Sequence, residues 1–258
     1  SLSITRARTL ADGETTLVLR DITETQRRRS AQAYYLANMS HEFRTPLSGM
    51  KASLELLSEN LGRLTQEEQK QLLSSILIST TTLQHLIDNL LEGSKLEANQ
   101  FTLRQQDISF DIMLMEVLSI MQPILARRQQ KLSLQIPLQS LTITADKTRL
   151  IQVLINLLSN DSKYSPQDSR IELKIEMQEQ EILIESADEG EGIPETEANR
   201  IFQHFVRLES NIEPDHSTGL GLAVVHGIIT AHQGQVGVRL RTDKGSIFWF
   251  TLPMQEHS

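Results

Sequence analysis

The chain has 258 residues, 39% of them hydrophobic, a formal net charge of −8 and no cysteine. That length allows one large or two ordinary domains, and the apolar content is that of a globular protein. The acidic balance argues against a general nucleic-acid binder, and the missing thiols exclude disulfides, thiolate zinc sites and cysteine nucleophiles.

No stretch approaches the roughly 18 apolar residues of a membrane span, and no secretory signal is visible. The chain begins at Ser1 without a methionine. It reads as a cytoplasmic piece of something longer, in which any membrane anchor or sensor lies upstream.

Residues 1–24 read as extended. Asp12-Gly13 signals a turn, and Thr15, Thr16, Leu17, Val18 and Leu19 are rich in β-formers. A lone hairpin of this size is marginal, so it reads as the tail of an upstream domain.

The period changes at Thr23. Leu36, Met39, Phe43, Leu47, Met50, Leu54, Leu57 and Leu61 recur at steps of three or four, a helical stripe. Gly62 interrupts it. Thr65-Gln66-Glu67-Glu68 has the pattern of a capping box opening a second helix, which Leu72, Ile76, Leu83, Leu86 and Leu90 carry to about Leu96. One helical hairpin cannot surround its own stripe. Two hairpins paired into a four-helix bundle bury it, so a homodimer is expected.

After Asn99 the pattern is mixed. Helices are predicted over 111–128, 147–160 and 223–232. Strands are predicted over 131–136, 141–144, 171–177, 181–186, 235–240 and 246–252, the last two closing a hairpin around Asp243-Lys244-Gly245. This string predicts an α/β sandwich, one mixed sheet with helices on one face. The whole is α+β, with residues 25–98 as the hairpin and 99–258 as the second domain.

Within Asn38-Met39-Ser40-His41-Glu42-Phe43-Arg44-Thr45-Pro46-Leu47, His41 sits on the flank of the stripe, turned by about 140° from Leu36 at roughly 100° per residue. It should face solvent, with Glu42 beside it and Thr45 one turn on. Pro46 cannot donate to the carbonyl of Glu42, so a local bend is expected. A lone histidine is usually an ordinary surface residue. Among the others, His85 reads as a bundle flank residue, and His204, His216, His226 and His232 have no metal-ligand spacing. His257 is in a polar tail.

The decapeptide, however, resembles the H-box of sensor histidine kinases, with Phe43 in place of the usual leucine. Four later segments carry the matching resemblance. Asn156-Leu157-Leu158-Ser159-Asn160-Asp161-Ser162-Lys163-Tyr164 resembles the N-box. Asn156, Asn160 and Lys163 fall at i, i+4 and i+7 as one polar stripe, while Leu150, Val153, Leu154, Leu157 and Leu158 form the buried side. Amide oxygens suit Mg²⁺ and an ammonium suits phosphate. Asp188-Glu189-Gly190-Glu191-Gly192-Ile193-Pro194 resembles the G1 box, whose aspartate accepts from the exocyclic amine of adenine while the glycines let backbone approach the base. Ile201-Phe202-Gln203-His204-Phe205 resembles the F-box. Ser217-Thr218-Gly219-Leu220-Gly221-Leu222 resembles the G2 box and opens a helix, where N–H groups can meet phosphates. Residues 207–216 between these two boxes read as a lid. Singly, each box also describes a solvated helix face, an ordinary turn or plain core. Their order behind an H-box is specific to the family.

The resemblance spans about Thr25 to Pro253. It implies a dimerisation and histidine-phosphotransfer domain followed by a Bergerat-type ATP-binding domain, and Leu19–Glu24 resembles the exit of a PAS domain. It implies ATP and Mg²⁺, with the ion on Asn160. The nucleotide residues carried over are Asn156, Asn160, Lys163, Tyr164, Asp188, Gly190, Gly192, Phe205, Thr218, Gly219, Leu220, Gly221 and Leu222. His41 is the expected phosphoacceptor, Glu42 its proton partner, and Glu42 with Thr45 matches the family's phosphatase pattern. The implied partner is a response-regulator receiver domain.

Three positions depart from the family pattern. Asp161 stands where alanine is usual, Ser186-Ala187 where a branched apolar residue precedes the aspartate, and His216-Ser217 where glycines open the G2 box. They keep a second reading open, a dimeric signalling scaffold with a degenerate nucleotide site. A chaperone- or topoisomerase-like relative is a third, which the H-box argues against.

Overall fold

A computed structural model describes residues 2–8, 15–21, 23–60, 62–97, 101–137, 141–203 and 220–254. Strands β1 (Leu2–Arg8) and β2 (Thr15–Asp21) pair antiparallel. Helix α1 (Thr23–Asn60) and helix α2 (Gln66–Glu97) form the expected hairpin. The capping box is made: Thr65 Oγ1 accepts from Glu68 N at 3.2 Å, and a Glu68 carboxylate oxygen accepts from Thr65 N at 2.8 Å.

The hairpin buries only part of its stripe. Met39 and Leu57 are buried, but Leu47, Leu54 and Leu56 on α1 and Leu73, Leu77, Ile87 and Leu91 on α2 remain exposed. Leu47 and Leu54 belong to the predicted stripe. A single chain has no second layer to cover them, hence their exposure.

The second part follows as β3 (Gln106–Ser109), α3 (Phe110–Arg127), β4 (Lys131–Gln135), β5 (Thr142–Ala145), α4 (Lys147–Tyr164), β6 (Arg170–Met177), β7 (Glu181–Ala187), α5 (Gly221–Ala231), β8 (Val236–Leu240) and β9 (Ser246–Pro253). The main sheet has the order β4-β6-β7-β9-β8, with β4 and β6 parallel and the other pairs antiparallel. In β6, Ile171, Leu173 and Ile175 are buried and alternate with Glu172, Lys174 and Glu176. The buried side meets Val117, Met121, Leu154, Leu158, Val224 and Ile228 of the three helices in one core. The other face carries ion pairs, Arg241 with Glu172 at 3.0 Å and Arg239 with Glu185. One face is thus covered by helices, as the strand pattern requires.

The small sheet differs from expectation. Residues 141–144 were expected in the main sheet, but β5 pairs with β3, which the polar sequence 101–107 did not signal. Backbone pairing and the burial of Ile108 and Ile143 hold it there. Helix α5 also begins two residues earlier than expected, at Gly221. Gly62 sits at the hairpin link as a turn, with nothing within 4 Å of where a Cβ would stand.

Candidate active site

His41 is exposed on α1, and Glu42 beside it is buried. Pro46, also buried, lies inside the helix. Thr45 does not point freely at solvent. Its hydroxyl donates back to the His41 carbonyl at 3.4 Å, a local bond that competes with the helix ladder.

Asp188 follows β7 directly and is buried. Its Oδ1 accepts from Gly190 N at 2.6 Å and its Oδ2 from Ser246 N at 3.1 Å. Burial pushes its carboxyl above the ordinary range, against those two N–H donors and the Arg241 charge, which pull it down. Two glycines make this packing possible. A Cβ on Gly190 would lie 2.6 Å from the Tyr164 carbonyl, and one on Gly245, whose φ is +104°, would lie 2.1 Å from the Asp188 carbonyl. Gly192 has φ +84° and tolerates a left-handed turn beside it. The G1 segment thus fixes one carboxylate by backbone alone, leaving lone pairs for a ligand amine.

Asn160, Lys163 and Tyr164 lie on the last turns of α4, which back onto this segment. Lys163 Nζ is 5.8 Å from the centre of the Tyr164 ring. Leu220, Gly221 and Leu222 open α5, whose first turn has no side-chain cap. Its leading N–H groups are the kind that meet phosphate oxygens. Phe205, Thr218, Gly219, the lid and His204, His216 and His257 lie outside the described residues.

Asn156 departs from the expected stripe. It is 3% exposed, and α2 rather than solvent faces it. Asn89 Nδ2 donates to Asn156 Oδ1 at 2.8 Å, Asn156 Nδ2 donates to Asn89 Oδ1 at 3.2 Å, and His85 Nε2 lies 2.9 Å from Asn156 Oδ1. Gln152 Nε2 adds a bond to Asn89 Oδ1 at 3.0 Å, and Arg149 pairs with Glu92 at 2.8 Å. A buried amide must be satisfied, and these partners come from the hairpin. A Cβ on Gly221 would lie 2.9 Å from Asn156 Oδ1, so α5 also closes on this amide. The bundle-flank role expected for His85 is therefore corrected: it contacts the second domain. Burial holds its imidazole below the usual pKa.

Leu220 anchors the same docking lower on the hairpin. It is 2% exposed and packs with Met39, Phe43 and Leu90. Met39 and Phe43 flank His41 on either side along α1, so the G2 entrance sits against the H-box helix.

Sequence reasoning named His85 and Asn156 but missed that they join Asn89 and Glu92 on α2 and Arg149 and Gln152 on α4 as two facing sets. The signal was present: both sets are polar stripes spaced over seven residues on helices that otherwise bury apolar faces.

His232 shows the bland fate of a buried histidine. Nε2 accepts from Asp146 N at 3.0 Å and Nδ1 donates to the Ile228 carbonyl at 2.8 Å, while burial holds its pKa down. Among the described residues no group of three metal-ligating side chains occurs, and no helix is long and apolar enough to cross a membrane.

Comparison with known proteins matches these parts in order. The family model "His Kinase A (phospho-acceptor) domain" matches residues 31–99. "Histidine kinase-, DNA gyrase B-, and HSP90-like ATPase" matches residues 145–256. Sensor protein KdpD of Clostridium acetobutylicum is 32% identical over 233 residues, 88% of this chain and 25% of the relative. Sensor histidine kinase WalK of Bacillus subtilis is 29% identical over 246 residues, 93% of this chain and 39% of the relative. The chain therefore spans between 25% and 39% of those two relatives. Among solved structures, histidine kinase AdeS of Acinetobacter baumannii aligns at 27% identity and TM-score 0.54, over 84% of this chain and 98% of that one. ShkA in complex with AMPPNP aligns at 29% identity and TM-score 0.58, over 85% of this chain and 45% of that one. The helical hairpin that matches the His Kinase A model and the ATPase-type sheet domain docked on it place this chain in the sensor histidine kinases of two-component systems.

Proposed function

We propose that this chain catalyses ATP-dependent phosphorylation of its own His41 and passes the phosphoryl group to an aspartate of a response-regulator receiver domain. The observation that carries the reading is Leu220, seated between Met39, Phe43 and Leu90, which puts the entrance of the nucleotide segment beside His41. Asp188 accepts from the adenine amine. Lys163 and the first N–H groups of α5 meet the phosphates.

The Asn160 amide oxygen is a hard donor of the kind Mg²⁺ takes, and Asn160 lies on the turn of α4 beside Lys163. The residues fit, so Asn160 would hold the ion, which neutralises phosphate charge. The His41 Nε2 lone pair forms the N–P bond as the bond from the γ-phosphorus to the bridging oxygen breaks and ADP leaves. Glu42 takes or orients the proton at Nδ1.

Glu42 and Thr45 also support dephosphorylation of the regulator; one relative, LuxQ of Vibrio harveyi, is named an autoinducer 2 sensor kinase/phosphatase. The exposed leucines of α1 and α2 support a homodimer, in which a second hairpin covers them. Residues 25–98 would be the dimerisation and phosphotransfer domain and 99–258 the ATP-binding domain. Incubation with γ-labelled ATP and Mg²⁺ should give acid-labile, base-stable label. A folded dimer that takes no label would instead be the scaffold.

A further inference from the structure

Gly93 stands in the interior of α2, where glycine weakens a helix relative to alanine. It is buried, and a Cβ built on it would meet the two Cδ atoms of Leu220 at 3.5 and 3.7 Å. With Leu90, and with Met39 and Phe43 of α1, it forms the seat that leaves Leu220 only 2% exposed. One and two turns earlier on α2, Asn89 and His85 meet the Asn156 amide, and Glu92 beside Gly93 pairs with Arg149. A knob in a glycine notch and a polar row thus fasten the second domain to α2.

The seat is level with His41 along α1 but on the other side of the helix. At roughly 100° per residue, His41 is turned by about 160° from both Met39 and Phe43. His41 is accordingly exposed while Met39 is buried. A helix with its side chains is about 10–12 Å across, so the first turn of α5, which follows Leu220 directly, lies across α1 from the imidazole. Reaction needs the attacking atom within about 3–3.5 Å of its target. The Asn156 amide is at the same time occupied by α2 and closed over by Gly221. This docked state therefore neither offers that amide to a nucleotide nor presents one to His41.

We propose that α2 is an intramolecular competitor of the nucleotide: while Gly93 seats Leu220 and Asn89 fills Asn156, the second domain is held off His41, and ATP excludes this docked state. This rests on the reading of Asn156 as a nucleotide contact and of His41 as the phosphate acceptor. The exclusion is reciprocal, because coupling between two binding events acts equally on both. Whatever loosens the seat tightens ATP, and ATP loosens the seat. Gly93 lies outside the residues assigned to nucleotide or acceptor, so docking can be altered there alone.

The test uses the whole chain with a wedge at the seat. Gly93→Ala adds a Cβ at an ordinary contact distance and should bind ATP as wild type does. Gly93→Leu drives side-chain atoms into Leu220, and overpacking of this kind shifts an equilibrium by about tenfold or more. It should bind ATP about tenfold more tightly by calorimetry without turnover, and should label His41 faster from γ-labelled ATP. A seat that serves packing alone would give unchanged or weaker binding. A second measurement leaves the seat intact. The chain has no cysteine, so cysteines placed at exposed Glu59 on the hairpin and Glu179 between β6 and β7 accept spin labels. The distance distribution between them should shift on saturation with ATP, and it decides alone where Gly93→Leu does not fold. Unchanged or weaker ATP binding by folded Gly93→Leu, or a distribution that ATP leaves as it was, overturns the proposal; label on His41 then keeps the kinase reading intact. No ATP binding in any chain overturns both.

Discussion

The amide pair between Asn89 and Asn156 occupies a side chain that the nucleotide site is expected to use, so docking of α2 on α4 should oppose ATP binding. Asn89→Ala removes the three hydrogen bonds that this side chain makes to α4, of 2.8, 3.2 and 3.0 Å. At about 0.5–1.5 kcal/mol each they sum to roughly 1.5–4.5 kcal/mol. On undocking, Asn156 and Gln152 regain water, so the lower half of that range applies. About 2 kcal/mol is about thirtyfold in the ratio of docked to undocked chains. The apparent Kd for ATP should tighten by up to that factor, saturating once the undocked form dominates. Titration with a fluorescent ATP analogue at fixed Mg²⁺ reads it directly. An Asn89→Ala chain that binds ATP no better than wild type, or worse, would show that Asn156 is not shared between the two states.

The remaining predictions concern pH, backbone and assembly. The folded pKa of His85 is lowered, so the docking it supports is present above about 6.5 and is lost as pH falls through the lower, folded value. The affinity gap between Asn89→Ala and wild type should therefore narrow on titrating from neutral to mildly acid pH, and a constant gap would contradict it. His232 obeys the same sign, while the raised carboxyl of Asp161 obeys the opposite: its stability is present below the ordinary carboxylate pKa of about 3.9 and is lost as pH rises. In thermal melts, Asp161→Asn should flatten the alkaline side and His232→Gln the acid side. Gly245→Ala places a Cβ against the Asp188 carbonyl at φ +104°, and should cost about 2 kcal/mol or more by denaturant titration. Leu77→Glu, on the exposed stripe of α2, should shift sedimentation from dimer to monomer.

Much of this was legible from residue patterns. Threefold and fourfold spacing gave both hairpin helices, and Thr65 with Glu68 gave the start of the second. Alternation gave β6, and the boxes gave Asp188 with its glycines. What escaped was pairing between distant elements. Strand β3 is polar on one side and is made by β5, not by its own propensity. Asn156 looked like a ligand-facing amide because helical spacing cannot say which neighbour covers a face. Asp161 stood out only as a departure from alanine, and its burial, which pushes its carboxyl well above the ordinary range, is a property of the folded chain.

The account turns on His41 as the phosphate acceptor. The most direct measurement maps acid-labile label from γ-labelled ATP in wild type, His41→Gln and His85→Gln chains, each with folding checked by circular dichroism. The account predicts label on wild type and on His85→Gln, and none on His41→Gln. Label that persists on His41→Gln would contradict it.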